Sequence, residues 1–175
     1  MSRKIIFVTG GARSGKSGFA LRDASAIDGK KAFVATAAAS DEEMAQRIAR
    51  HKEERGNGWD TFEEPLKIGD LLTAIECRYG IILVDCLTLW LANVMTAGLD
   101  MGSETEKLIA SLASLRSARF YIISNEVGAG IVPDNELARR FRDAAGILNQ
   151  KVASISDEVY MTVAGIPIKI KGEDR

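Results

Sequence analysis

Short aliphatic runs separated by longer amphipathic stretches set the rhythm of this chain. Lys4–Val8, Lys31–Thr36, Ile81–Asp85 and Phe120–Ser124 are dense in Ile, Val, Leu and Phe with little alternation. Runs of that length and composition predict strands buried on both faces. Val159–Val163 and Ile166–Ile170 predict two closing strands, the second able to run antiparallel, and Thr61–Glu64 a short extended piece. Apolar residues at helical spacing predict helices over Lys16–Ala26, Asp41–Arg55, Ile68–Cys77, Leu87–Met95, Ser103–Ser117 and Asn135–Ala153. Ser40 with Glu43, and Ser103 with Glu106, match the reciprocal capping pattern of a helix start. Gly56-Asn57-Gly58 breaks the second helix, Thr96–Gly102 reads as a loop, and Gly128-Ala129-Gly130 with Pro133 reads as a turn-rich loop. Strands alternating with helices predict an α/β fold: a mainly parallel central sheet flanked by helices. Functional groups are then expected at the carboxyl ends of the strands.

Composition narrows this picture. A chain of 175 residues without internal repeats predicts one domain spanning residues 1–175. With 23 basic and 24 acidic residues it carries a formal charge of -1, so no basic surplus points to nucleic acid or an anionic membrane. No apolar run reaches the ~18 residues of a membrane span. The first residues, MSRKIIFVTGG, lead into a strand and a glycine loop without signal-peptide architecture, so a cytoplasmic location is expected. Cys77 and Cys86 lack a paired-ligand spacing and His51 is the one histidine, which excludes an ordinary structural zinc site. Both cysteines are expected as reduced core thiols.

The first candidate chemistry follows the first strand. Gly10-Gly11-Ala12-Arg13-Ser14-Gly15-Lys16-Ser17 fits the spacing G-x-x-x-x-G-K-[ST] between a strand and a helix. Glycines let backbone N–H groups turn inward around phosphate oxygens, and the helix that follows adds its positive end. Lys16 is placed to reach the β- and γ-phosphates of ATP or GTP, and the Ser17 hydroxyl to ligate magnesium. Asp85, delivered by a buried strand, is the matching acid for magnesium, or else caps the next helix.

His51 shares a helical stripe with Met44 and Ile48, the pattern of a structural histidine. Arg47 and Arg55 lie one turn to either side of it. Two guanidiniums disfavour the imidazolium and can clamp a phosphate, which makes His51 a candidate nucleophile in nucleotidyl or phosphoryl transfer. Glu63 can accept hydrogen bonds from a guanine edge or a ribose, or is a solvated strand residue. Asn125, Glu126 and Gly128 follow a strand, either as site residues or as turn chemistry. Arg139, Arg140 and Arg142 read as a solvated helix face. From these residues alone, a small-molecule kinase with a structural histidine and a nucleotide-dependent switch or assembly ATPase remain alternatives.

Larger segments carry a resemblance. VTGGARSGKS at Val8–Ser17, AT at Ala35-Thr36, DEEMAQRIARHKEER at Asp41–Arg55 and W-x-T-x-E at Trp59–Glu63 are its first half. ILVDCLT at Ile82–Thr88, SNEVGAGIVP at Ser124–Pro133 and LARRFRDAAGILNQ at Leu137–Gln150 are its second. From about Ile6 to Lys171 the chain resembles the bifunctional adenosylcobinamide kinase / adenosylcobinamide-phosphate guanylyltransferases of cobalamin biosynthesis. The resemblance implies a P-loop NTPase fold, phosphorylation of the aminopropanol hydroxyl of adenosylcobinamide, and transfer of GMP from GTP onto the new phosphate. It implies a GMP–histidine intermediate on His51. It implies nucleotide contacts at Gly10, Gly11, Ala12, Arg13, Ser14, Gly15, Lys16 and Ser17, at Val34, Ala35 and Thr36, at Lys52, Glu53, Glu54 and Arg55, and at Glu63 and Asp85. Some relatives have a second histidine just before the reactive one, where this chain has Arg50. The resemblance implies a corrinoid substrate and a symmetric homo-oligomer, with a trimer as the expected state.

Overall fold

The computed structural model describes residues 3–37 and 58–172. The helix expected over Asp41–Arg55 and its cap at Ser40 and Glu43 lie outside these described residues. Within them the strands are β1 (Lys4–Gly10), β2 (Lys31–Ala35), β3 (Trp59–Glu63), β4 (Ile81–Asp85), β5 (Arg119–Ile123), β6 (Glu158–Val163) and β7 (Ile166–Lys171). The described α-helices are α1 (Lys16–Ser25), α2 (Ile68–Ile75), α3 (Leu87–Thr96), α4 (Met101–Ser114) and α5 (Glu136–Ile155). The strands form one seven-stranded sheet in the order β3-β2-β4-β5-β1-β6-β7. Neighbours run parallel except β6 and β7, which pair antiparallel.

The dense aliphatic runs are buried on both faces, as their lack of alternation requires. Ile5, Phe7, Val34, Ile82, Val84, Phe120 and Ile122 point into a core completed by α2, α3, α4 and α5. Ile6, Val8, Phe33, Ile81, Leu83, Tyr121 and Ile123 point the other way, against Ala20 and Ala24 of α1. Small residues on α1 let that helix lie close to the sheet, and this closeness fixes where its amino end sits. Trp90 is buried in the larger core, with its indole N–H donating to the Leu66 carbonyl at 2.8 Å. Each large side chain removed from water contributes roughly 1.5–3 kcal/mol.

Three expectations change. The helix placed at Ser103 starts earlier: Asp100 is the N-cap and accepts from the Ser103 N–H at 2.7 Å. Glu106 does not reach back in a capping box but pairs with Lys151. An aspartate outcompetes serine here because a charged acceptor also meets the positive helix end. Cys77 lies exposed on the 3-10 turn Glu76–Arg78 and is not a core thiol, whereas Cys86 is buried. Arg139 is not simply solvated: its guanidinium donates to the carbonyls of Pro133 and Asp134, closing the turn before α5. Arg142 meets Asp143 at 3.1 Å.

Candidate nucleotide site at the carboxyl edge of the sheet

Parallel pairing aligns one row of residues across the sheet: Glu63, Ala35, Asp85, Ile123 and Val8 are successive register partners. The chain leaves all five strands on the same edge, so everything that follows each strand gathers there. After β1 comes the glycine loop, and then α1 with Gly15 as its N-cap. Gly10 and Gly15 have φ of 145° and 97°, and a side chain on Gly10 would meet the Thr162 carbonyl at 2.4 Å. Arg13 takes φ 56° within the loop, a conformation costly for a side-chain-bearing residue and common at ligand-binding loops. The loop is braced from outside its own motif. Ser14 Oγ lies 2.7 Å from Thr162 Oγ1 on β6, and the Gly165 N–H in the β6–β7 turn donates to the Ser14 carbonyl at 2.9 Å.

Lys16 is buried in the first turn of α1, with its ammonium donating to the Gly11 carbonyl at 2.6 Å. Burial pulls its pKa below the ordinary lysine value, and the neighbouring Cys86 and Asp85 partly restore it. The Asp85 carboxylate is therefore in electrostatic reach of the loop lysine, although β5 stands between β1 and β4. Asp85 is not the cap of α3, since that position falls to Cys86 and no side chain caps there. Burial, then the Asp85 charge, pushes the Cys86 thiol up to about 12, so it stays protonated.

The expected contacts of β2 divide by burial. The Val34 side chain is wholly inside the core. Ala35 packs in the smaller cluster on the α1 side. The Thr36 hydroxyl, fully buried, accepts from the Cys86 N–H at 2.9 Å and donates to the Cys86 carbonyl at 2.7 Å. Thr36 thus locks the end of β2 to the residue after Asp85. Glu63 stands exposed at the end of β3, on the same row, with β2 between it and the strand of Asp85. Gly11, Ala12, Arg13 and Gly15 are exposed, with Ser14 and Ser17 half-buried. His51, Lys52, Glu53, Glu54 and Arg55 lie outside the described residues, as do Arg47 and Arg50.

A family model described as cobinamide kinase / cobinamide phosphate guanyltransferase matches residues 6–170. The chain belongs to this family. It is 43% identical over 168 residues to the bifunctional adenosylcobalamin biosynthesis protein CobP of Pseudomonas aeruginosa, covering 95% of this chain and 96% of that one. It is 39% identical over 184 residues to the bifunctional adenosylcobalamin biosynthesis protein CobU of Salmonella typhimurium, covering 95% and 99%. Among solved structures, an ATPase of a bacterial type III secretion system superposes with a TM-score of 0.59 at 13% identity, over 90% of this chain and 50% of that one. The RadB recombinase does so at 0.53 and 15%, over 90% and 73%. At such identities these two share the fold alone, that of P-loop NTPases.

Within this cobinamide kinase family member, several residues that organise the edge escaped the sequence reading. Thr88, at the start of α3, accepts from the Asn125 N–H at 2.7 Å and stands 3.2 Å from Ser124 Oγ. Asn149, midway along α5, donates to the Asn125 carbonyl at 3.0 Å. Thr162 and Gly165 hold the phosphate loop as described. Asn149 had a legible signal, since it interrupts the buried stripe of Ala145, Leu148 and Val152 with a polar group. Thr162 had none, because alternation on a closing strand does not reveal which loop it touches.

Proposed function

We infer that this chain performs both activities of its family: it phosphorylates adenosylcobinamide with ATP or GTP, then transfers GMP from GTP to adenosylcobinamide phosphate, giving adenosylcobinamide-GDP in cobalamin biosynthesis. The observation that carries this reading is the sheet edge itself. There a buried lysine in a glycine loop lies in electrostatic reach of Asp85, within a chain matched almost end to end by family members.

In the kinase step the loop holds the β- and γ-phosphates, and Lys16 leaves its Gly11 carbonyl for phosphate oxygens. The substrate hydroxyl attacks in line and the nucleoside diphosphate departs. Among the described residues no cluster of three acids, histidines or cysteines could cage a metal alone. The donors present, the Ser17 hydroxyl and the Asp85 carboxylate, are hard oxygen ligands that would hold a magnesium ion together with the nucleotide. Bound there, magnesium supplies neutralisation of phosphate charge.

In the transferase step a His51 ring nitrogen forms a bond to the α-phosphorus of GTP as the bond to the bridging oxygen breaks, and pyrophosphate leaves. A phosphate oxygen of the corrinoid then displaces His51 from phosphorus, which restores the enzyme. Lys52, Glu53, Glu54, Arg55, Glu63 and the Val34–Thr36 segment are proposed to complete the nucleotide site. One nucleotide site in one domain serves both steps, in a cytoplasmic homo-oligomer, for which we propose a trimer. Purified protein incubated with adenosylcobinamide, GTP and magnesium is expected to yield first the phosphate and then the GDP ester by mass spectrometry. With α-labelled GTP alone, wild type is expected to hold acid-labile, base-stable label that His51→Ala lacks. Unchanged adenosylcobinamide would refute the function, and equal label on both proteins would refute the nucleophile.

A further inference from the structure

β5 runs between β1 and β4, with Ile123 paired to Val8 on one side and Asp85 on the other. Ser124, Asn125 and Glu126 therefore emerge between the start of the phosphate loop and the acid at the end of β4. Two of these three polar side chains are already committed. The Ser124 hydroxyl lies 3.2 Å from that of Thr88. The Glu126 carboxylate accepts from the N–H groups of Gly128 at 2.6 Å and Ala129 at 3.1 Å, shaping its own turn. Asn125 differs. Its main chain is held at both ends by side chains, since its N–H donates to Thr88 Oγ1 at 2.7 Å and its carbonyl accepts from Asn149 Nδ2 at 3.0 Å. Its neighbour's N–H donates to the Gly10 carbonyl at 2.9 Å, tying the segment to the phosphate loop. Its own carboxamide, half-buried, makes no hydrogen bond to another described residue.

The pinning has a cost. Asn149 Oδ1 is buried without a hydrogen-bond partner among the described residues, and such orphans call for a reason. A backbone clamped by two helices fixes where the Asn125 side chain starts, and its unspent amide is a dipole available to charge that develops beside it.

We propose that Asn125 is a catalytic residue of the phosphoryl-transfer step: its carboxamide N–H donates to an oxygen of the γ-phosphoryl group as that group passes from nucleotide to substrate hydroxyl. In that step a bond forms between the hydroxyl oxygen and the γ-phosphorus. The bond to the β,γ-bridging oxygen breaks, the nucleoside diphosphate leaves with the bonding pair, and the hydroxyl proton passes to water. Asn125 neither gains nor loses a proton. Its donor meets charge on the phosphoryl oxygens and needs no nearby cation.

The inference rests on the kinase reading above, and wild-type protein tests that reading first. If wild type phosphorylates adenosylcobinamide, Asn125→Ala and Asn125→Asp decide the role of the residue. Neither substitution touches the main-chain bonds to Thr88 and Asn149, and the aspartate is isosteric, so folding is preserved in at least one variant and is checked by melting temperature. The expected result is a fall in kinase kcat of roughly 10²-fold in both variants, the loss typical of a removed transition-state donor. KM for the nucleotide should stay within about twofold in Asn125→Ala, because an interaction made only in the transition state leaves ground-state binding alone. A folded Asn125→Asp with wild-type kcat overturns the proposal, and so does an Asn125→Ala whose loss lies wholly in KM. Failure of wild type to turn over would instead refute the kinase reading.

Discussion

The phosphate loop and the segment after β5 sit side by side on one sheet edge, yet they are held by different means. Gly10–Ser17 is shaped mostly by its own residues: two glycines at positive φ, a lysine turned onto a loop carbonyl, and the first turn of α1. Outside support comes from the β6–β7 hairpin at Thr162 and Gly165, and the Glu126 N–H adds a main-chain bond to the Gly10 carbonyl. Ser124–Glu126 has little local geometry of its own. It is held by Thr88 from one helix and Asn149 from another, 37 and 24 residues away in sequence from Asn125. A loop that makes its own shape announces itself as a motif. A segment shaped by distant partners does not, although it leaves the sheet on the same edge.

Perturbing the edge separately on each side sharpens this contrast. The largest of these effects is expected from Asp85→Asn, which keeps the shape but removes the charge at the end of β4, beside the segment after β5. Turnover should fall roughly 10²-fold and the magnesium concentration for half-activity should rise, read from a metal titration. Unchanged metal dependence with normal turnover would remove Asp85 from the site.

Asn149→Leu releases the Asn125 carbonyl while filling the same space. Kinase kcat is expected to drop about tenfold with nucleotide KM nearly constant, since positioning is lost but the phosphate loop is not. The melting temperature should change little, because the substitution also removes a buried oxygen that has no partner.

Thr162→Val removes the hydroxyl that meets Ser14. Here the expected signature is the reverse: nucleotide KM rises by about three- to fivefold, kcat is nearly kept, and stability falls by about 1 kcal/mol in denaturant titration. If Asn149→Leu and Thr162→Val gave the same kinetic signature, the two supports would not be separable.

The smallest effect is expected at the cysteines. Cys77 is exposed, while Cys86 is buried with its thiol held protonated by burial and by Asp85. A thiol reagent at pH 8 should add one label to the native protein and two after denaturation, counted by intact mass. Activity should survive the first label.

The same contrast explains what was legible in the sequence. The strands were readable because Ile5–Val8, Ile81–Val84 and Phe120–Ile123 face apolar neighbours on both sides, so every residue carries the signal. The phosphate loop was readable because its chemistry is contiguous. The capping box at Ser103 failed because a better acceptor, Asp100, stood one turn earlier. Cys77 failed because the helix through Ile75 tightens into a 3-10 turn that swings the next residues outward. Thr36 was found as part of a matching segment, but its role as the lock between β2 and Cys86 depends on strand order, which no local pattern encodes. Thr88 escaped for the same reason, whereas Asn149 marked itself as a polar break in the buried stripe of α5 but its partner did not.

The most direct test of one sheet edge serving both steps is Lys16→Ala. Removing a buried ammonium should leave the melting temperature unchanged or higher, because burying that charge costs stability. Assayed with adenosylcobinamide for phosphorylation, and with α-labelled GTP for the protein-bound guanylyl adduct, the variant is expected to lose both activities together, each by roughly 10²- to 10³-fold. Loss of phosphorylation alone, with the guanylyl adduct formed at the wild-type rate, would contradict the account and place GTP in a second site.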